Sequence, residues 1–408
     1  MKKILNSLVF KLLVAVVLGI VIGILANEPV MNVVVTIKSI FSQLVLFAVP
    51  LIIIGFIAPS IAQLKNNASK LLTLAVGIAY LSSVGAAAFS AVAGYLIIPQ
   101  MHISSAAEGL RELPELLFDL QIDPIMSVMS ALVLSVMLGL ATSWSKATLI
   151  EDVLNEFQKV ILAIVSKIII PILPIFIAST FATLSYEGSI TKQLPVFLGV
   201  IVIAIVGHFI WMTVLYGIAG LVTRKNPKEV FKHYGPAYLT AVGTMSSAAT
   251  LPVALTCAKK SKVLRPDIIN FGVPLFANIH LCGSVLTEVF FVITVSQILY
   301  GKLPSIPSMI LFIVLLGVFA IGAPGVPGGT VMASLGLITS VLGFDETGTA
   351  LMMTIFALQD SFGTACNVTG DGALTLILTG YAEKMCIRDR PIMRPKAHIQ
   401  TLFQKAIP

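Results

Sequence analysis

Apolar residues along this chain run in long blocks rather than alternating with polar ones. Eight blocks, at about 8–26, 34–63, 71–98, 124–145, 157–184, 193–222, 266–299 and 346–382, each reach the roughly 20 residues a helix needs to cross about 30 Å of hydrocarbon. Several exceed 25 residues and predict tilted helices. A transmembrane barrel would alternate apolar and polar positions, and these blocks do not. Two further intervals, 234–258 and 307–343, are apolar but interrupted. The first is centred on Gly243-Thr244-Met245-Ser246-Ser247-Ala248-Ala249-Thr250-Leu251-Pro252, the second on Gly322-Ala323-Pro324-Gly325-Val326-Pro327-Gly328-Gly329-Thr330. Each has room for two half-helices meeting at a polar or Gly/Pro tip and makes a poor straight span. Irregular backbone at membrane depth is tolerated only where protein buries it or it lines a cavity. The pattern therefore predicts an all-α integral membrane protein with eight transmembrane helices and two re-entrant helical hairpins.

Composition agrees. Of 408 residues, 57% are hydrophobic and 11% charged, against about 25% charged in soluble domains. The net charge of +7 says less than its placement. With eight spans, and each hairpin returning to its own side, one face carries Lys2, Lys3, Lys65, Lys70, Lys146, Arg224, Lys225, Lys228, Lys259, Lys260, Lys262 and Arg265. Arg111, Lys192 and Lys302 fall on the other. The basic face predicts the cytoplasm, which puts both termini there and inserts the two hairpins from opposite sides, as an inverted repeat would. Residues 1–26 start basic and lack a clear cleavage site, so they read as the first span rather than a signal peptide. The cysteines Cys257, Cys282, Cys366 and Cys386 form no C-x-x-C pair and predict neither a disulfide framework nor a zinc site. The Gly/Pro run lacks the Gly-Lys-Ser/Thr of a phosphate loop, and nothing in the chain points to nucleic acid. From 384 the chain turns polar and basic, which reads as a cytoplasmic tail or as non-native sequence.

The candidate chemistry lies in the last apolar block. Asp360, Thr364, Asn367 and Asp371 are spaced by 4, 3 and 4 residues. On a helix turning about 100° per residue they share an arc of roughly 60°. A carboxylate in hydrocarbon is costly, so two on one stripe are expected to face a cavity and meet cations or polar ligands there.

The order of motifs resembles the dicarboxylate/amino acid:cation symporters, a glutamate-transporter-like family. Ser246-Ser247-Ala248-Ala249-Thr250-Leu251-Pro252 looks like the serine-rich tip of that family's first hairpin, and Gly325-Val326-Pro327-Gly328-Gly329 resembles the tip of its second. Asn367-Val368-Thr369-Gly370-Asp371 matches the end of its last helix's binding motif. The resemblance implies an elevator-type fold with inverted repeats and a homotrimer in a bacterial inner membrane. It assigns 1–70 and 100–186 to scaffold helices 1–2 and 4–5. Helix 3 (71–99), helix 6 (187–225), hairpin 1 (226–262), helix 7 (263–302), hairpin 2 (303–344) and helix 8 (345–383) go to a transport domain, with 384–408 as the tail. It implies that Asp371 holds a sodium ion with backbone help from Asn278 and Asn367. The Asn367 side chain would meet the substrate's α-carboxylate, and Asp360, its polar end. Thr364, Ser246, Ser247, Val326, Pro327 and Gly328 would complete the site. The coupling ion is sodium, with no other cofactor.

Two departures bear on function. Where acidic-substrate members carry an arginine, this chain has Gly363, and at the alternative hairpin position it has Met245. A side-chain carboxylate would be buried unpaired, at a cost of several kcal/mol. A small neutral amino acid fits better, and Leu358-Gln359-Asp360-Ser361 resembles the family's serine/threonine:sodium symporters. Gly363 is also expected to add room beside the site. Second, a deeper sodium site matched by Tyr80, Ser83 and Asn278 has His280 in place of its aspartate, so that site is expected to be weakened. His280 is then either a hydrogen-bonded core histidine or a proton carrier. Alternatives are proton-coupled uptake of another small amino acid or carboxylate, or an intramembrane hydrolase using Ser246 or Ser247 with His280.

Overall fold

The computed structural model describes residues 8–66, 70–101, 111–188, 190–323, 325 and 327–388. Among them every regular element is helical. The chain forms α1 (Leu8–Leu25), α2 (Glu28–Asn66), α3 (Lys70–Ile97), α4 (Val128–Ser145), α5 (Thr148–Ile164), α6 (Ile170–Tyr186) and α7 (Ile190–Thr223). After the short α8 (Lys228–Phe231) come α9 (Gly235–Thr244), α10 (Ser247–Lys259), α11 (Pro266–Ile279) and α12 (Cys282–Tyr300). The last are α13 (Ile306–Gly322), α14 (Gly329–Leu342) and α15 (Glu346–Arg388). A π turn, Val165–Ile169, joins α5 to α6 without a break in direction of the chain.

Among the described residues, five stretches are long and apolar enough to cross a membrane: Glu28–Pro59, Lys70–Met101, Thr148–Tyr186, Pro195–Thr223 and Pro266–Tyr300. The last is α11 and α12 taken together. α1 and α4 have 18 residues each, about 27 Å of helix. α15 is longer but interrupts its apolar run with the carboxylates that mark the candidate site. The two interrupted intervals form helical pairs that fold back on each other, α9 with α10 and α13 with α14. Their arms have 10, 13, 17 and 14 residues, so each falls short of the roughly 30 Å a span needs.

Packing divides the helices into two neighbourhoods. α1 lies along α6, and α2 packs on α4, α5 and α6. α12 sits between α3 and α15, and α15 also contacts α7, α9 and α11. α12 is the innermost helix: Cys282 to Ser296 are buried without exception. Such all-round burial is why its residues show no amphipathic stripe.

Two expectations are corrected. Helix 7 is not continuous, because the backbone turns extended at His280 and irregular at Leu281. Neither residue is a helix breaker, so local pattern runs straight through them; side-chain pairing across helices opens the gap. The last helix does not end at 383 but continues to Arg388, since Lys384-Met385-Cys386-Ile387-Arg388 are ordinary helix formers. The rest of the proposed tail lies outside the described residues.

Small residues set the closest contact in the α1–α6 pair. Gly19 and Gly23, one turn apart, meet Ala178, Ala182 and Ser185 so closely that an added Cβ would collide with the carbonyl oxygens of Ala178 and Ala182. In hydrocarbon, apolar burial does not drive helix association, so close backbone approach between small residues carries it. Gly23→Leu is expected to overpack this seam at about 1–3 kcal/mol and lower the thermal midpoint of the purified protein. Gly217→Ala, where nothing lies within 4 Å, should leave the midpoint unchanged or slightly raised. Equal midpoints for the two variants would show that the seam does not carry the pair.

Candidate functional site

The polar stripe of α15 faces inward. Asp360, Thr364, Asn367 and Asp371 are all buried. Each carboxylate meets a hydrogen-bond donor from another part of the chain, as a buried charge requires.

Asp371 Oδ1 lies 2.9 Å from His280 Nδ1, and His280 Nε2 lies 2.9 Å from Ser82 Oγ. The two ionisable side chains are 1% and 0% exposed. An ionised carboxylate only accepts, so Nδ1 carries the proton toward Asp371, and a neutral imidazole then accepts the Ser82 hydroxyl at Nε2. The imidazole fits here because Gly370 leaves room: a Cβ there would lie 2.9 Å from His280 Cε1. The other oxygen of Asp371, Oδ2, is buried and has no protein partner. A carboxylate with one oxygen held by the protein and one unpaired can ligate a hard cation.

The Asn367 amide is engaged by a neighbouring helix. Its Oδ1 accepts the backbone N–H of Gly283 at 2.7 Å and of Ser284 at 3.2 Å, and its Nδ2 donates to Ser284 Oγ at 2.9 Å. Gly283 and Ser284 are the second and third residues of α12, whose own cap residue, Leu281, supplies no side-chain bond. Asn367 thus caps α12 from a neighbouring helix and satisfies donors that the break in helix 7 leaves free.

The hairpin tips meet near Asp360. Gly328 donates its N–H to Asp360 Oδ2 at 2.7 Å, and Gly328 takes a left-handed φ of 70° to present it. Thr364 stands one helical turn after Asp360 and is buried on the same side of α15. Ser246 caps α10 and donates its hydroxyl to the Gly325 carbonyl at 2.6 Å, tying the first hairpin's tip to the second's. The residue before it, Met245, is buried in the left-handed region at φ 52°. That is a costly conformation for a side chain with a Cβ. Ser247 is buried at the start of α10, and Pro327 is partly buried beside Gly328. Val326 lies outside the described residues.

Other predicted positions stand elsewhere. Asn278 is exposed and its amide bonds its own helix, at Pro274 O. Tyr80 donates to Val314 O of α13, away from His280. Ser83 is buried with its hydroxyl unpaired, and its neighbour Ser82 is the one that reaches His280. One residue on a helix is a 100° rotation, too fine a distinction without the neighbouring helices. A Cβ at Gly363 would lie 3.4 Å from Ser284 N and Cα, in ordinary contact with the first turn of α12. The structure also does not bring Ser246 or Ser247 to His280, which removes the hydrolase pairing. In the Ser82–His280–Asp371 series that does form, Ser82 lies in the middle of α3, where the neighbouring backbone N–H groups are spent on the helix.

Two buried ionisable groups support the site. His208 Nε2 faces Gly283 O at 3.0 Å and Thr287 Oγ1 at 2.9 Å, bracing the start of α12 from α7. Its place inside the 193–222 apolar run was the available signal. Glu288, on α12, accepts a hydrogen bond from Ser334 of α14 and so links helix 7 to the second hairpin.

Asp360→Ala would leave the Gly328 N–H without its acceptor. A hydrogen bond to a charged group contributes about 1.5–3 kcal/mol, so amide exchange at Gly328 and in the first turn of α14 should speed up roughly ten- to hundredfold. Unchanged exchange there, by mass spectrometry of the purified variant, would show that the tip is held by other contacts.

The chain is 28% identical over 399 residues to the serine/threonine transporter SstT of Acinetobacter baumannii (strain ATCC 17978), covering 90% of this chain and 95% of that one. It is 29% identical over 406 residues to the transporter of the same name from Acinetobacter baylyi, covering 93% and 98%. Excitatory amino acid transporter 3 of Bos taurus is 28% identical over 261 residues, 63% of this chain and 48% of that protein. The profile of the sodium:dicarboxylate symporter family matches residues 8–381, nearly the whole length described. The chain belongs to that family, and it is a transporter rather than an enzyme.

Proposed function

We propose that this protein is a secondary active transporter that couples sodium entry to uptake of a small neutral amino acid, serine or threonine in character, by an elevator movement. The observation that carries the reading is Asp371 Oδ2, a buried carboxylate oxygen with no protein partner beside a broken helix. The last turn of α11 ends here, and carbonyls at a helix C-terminus favour a cation. Together with Asp371 they form a hard-oxygen set of the kind sodium prefers. Asn367 contributes its backbone to this set, while its amide stays on α12. His280 occupies the deeper position and leaves that second sodium site without its anion.

The substrate would bind between the tips that meet near Asp360. Ser246, Ser247, Pro327, Gly328 and Thr364 surround it, and Asp360 faces its amino or hydroxyl end. No arginine stands at 363 or 245 to pair a side-chain carboxylate. The names of the two bacterial relatives support the same substrate class. α1, α2, α4, α5 and α6 would act as the scaffold of a homotrimer in a bacterial inner membrane with cytoplasmic termini. α3, α7 and the helices from α9 to α15 would carry substrate and ion across it. The Asp360–Gly328 bond would act as the latch of the second hairpin. A second reading, proton-coupled uptake of another small amino acid or carboxylate, draws on the His280–Asp371 bond.

In proteoliposomes, serine or threonine should accumulate only with an inward sodium gradient, and glutamate should not accumulate. Asp371→Asn should lower sodium-driven uptake at least about tenfold, the lower end for losing one charged ligand. Accumulation driven by a pH gradient without sodium would move the assignment to the proton-coupled reading. No accumulation of neutral amino acids under either gradient would overturn both.

A further inference from the structure

A long apolar groove of about 380 Å³ lies between α3, α7 and α15, and no hairpin residue lines it among the described residues. Its walls include Ile78, Leu215 and Leu374, and it extends from Ser82 and Trp211 at one end to Val222 and Lys384 at the other. From Trp211 to Val222 along α7 is about 16 Å, so the groove is elongated parallel to the helices. A second cavity adjoins it, shares Leu74, Ile78, Leu81 and Tyr381 with it, and is lined by Lys70. The rim of the pair is therefore basic, with Tyr381 between the two lysines. Glu383, which precedes Lys384 in the chain, is paired with Lys225 at 2.8 Å. Lys384 reaches across the mouth toward Val222 O at 3.4 Å, and both Lys384 and Lys70 remain exposed.

We propose that this groove binds one anionic phospholipid, with an acyl chain along the apolar trough and the phosphate held by Lys70 and Lys384. The shape is that of a chain rather than a compact solute, and the volume falls within the range of specific small-molecule sites, about 300 to 1,000 Å³. Two ammonium groups beside a tyrosine at the end of a span form the kind of interface that holds anionic headgroups. The position also gives the lipid a task. Ser82 lines the inner end, and its hydroxyl is bonded to His280, which is bonded to Asp371. A chain seated there keeps water from the outer side of that hydrogen-bonded series, where a low dielectric keeps its bonds strong. All three helices of the groove belong to one packing neighbourhood, so the lipid would stay with α15 rather than bridge to α1 and α6.

The test uses the purified full-length protein, delipidated in neutral detergent, and adds dioleoyl phosphatidylglycerol, dioleoyl phosphatidylcholine or inorganic phosphate. Binding is read by native mass spectrometry and by the thermal midpoint. Phosphatidylglycerol should bind at least tenfold more tightly than phosphatidylcholine and raise the midpoint, and inorganic phosphate should do neither. Lys70→Gln with Lys384→Gln should remove the preference for the anionic lipid. Ile78→Trp, which fills the trough and keeps both lysines, should weaken binding of both lipids. Equal binding of the two lipids to the wild-type protein would overturn the proposal without recourse to any variant. So would an equal effect of inorganic phosphate, or a double variant that folds and keeps its preference. None of these readouts depends on transport, so a failure here leaves the transport reading standing.

Discussion

A carboxylate inside a hydrocarbon-spanning bundle must find donors or a cation within reach, because no water is there to solvate it. Most of the irregular geometry in this protein serves that requirement. Asp371 takes one hydrogen bond from His280, and His280 can deliver it only because helix 7 opens between α11 and α12. The opening in turn strands the N–H groups of Gly283 and Ser284, and Asn367 accepts both. One helix break is thus coupled at both edges to side chains of α15, four residues apart.

The same requirement joins the two hairpins to the last helix. Asp360 accepts the Gly328 N–H, and Ser246 reaches the Gly325 carbonyl, so the two tips and α15 form one connected polar centre. The Gly328–Asp360 bond is buried, which raises its strength and the penalty for leaving it unmade, while the Ser246–Gly325 bond is partly exposed. Glycines allow the approach. At Gly283 an added Cβ would collide with Gly363 O, so α12 and α15 touch backbone to backbone where their polar groups must meet.

Family membership and this geometry together narrow the function to cation-coupled transport. What distinguishes this chain within the family lies in a few side chains. In the proposed reading, Gly363 and Met245 would leave a substrate carboxylate without a guanidinium partner, and His280 would stand in for the aspartate of a deeper ion site. His280 is committed to both Ser82 and Asp371.

The sequence by itself determined the class of fold and the helix that bears the site. Apolar block length marks spans because hydrocarbon thickness sets it, and Gly/Pro-interrupted blocks mark hairpins because broken backbone must be sheltered. The 4-3-4 spacing placed four polar side chains on one inward face, since helical rotation is a local property. Tertiary structure alone decided which partner each of them takes. Ser82 rather than Ser83 faces His280, Asn367 caps α12, and Gly363 lies against the backbone of Ser284. These outcomes depend on how helices remote in sequence are rotated and spaced against one another. A hydrogen bond needs that geometry to within a few tenths of an ångström, and the periodicity of a single helix does not contain it.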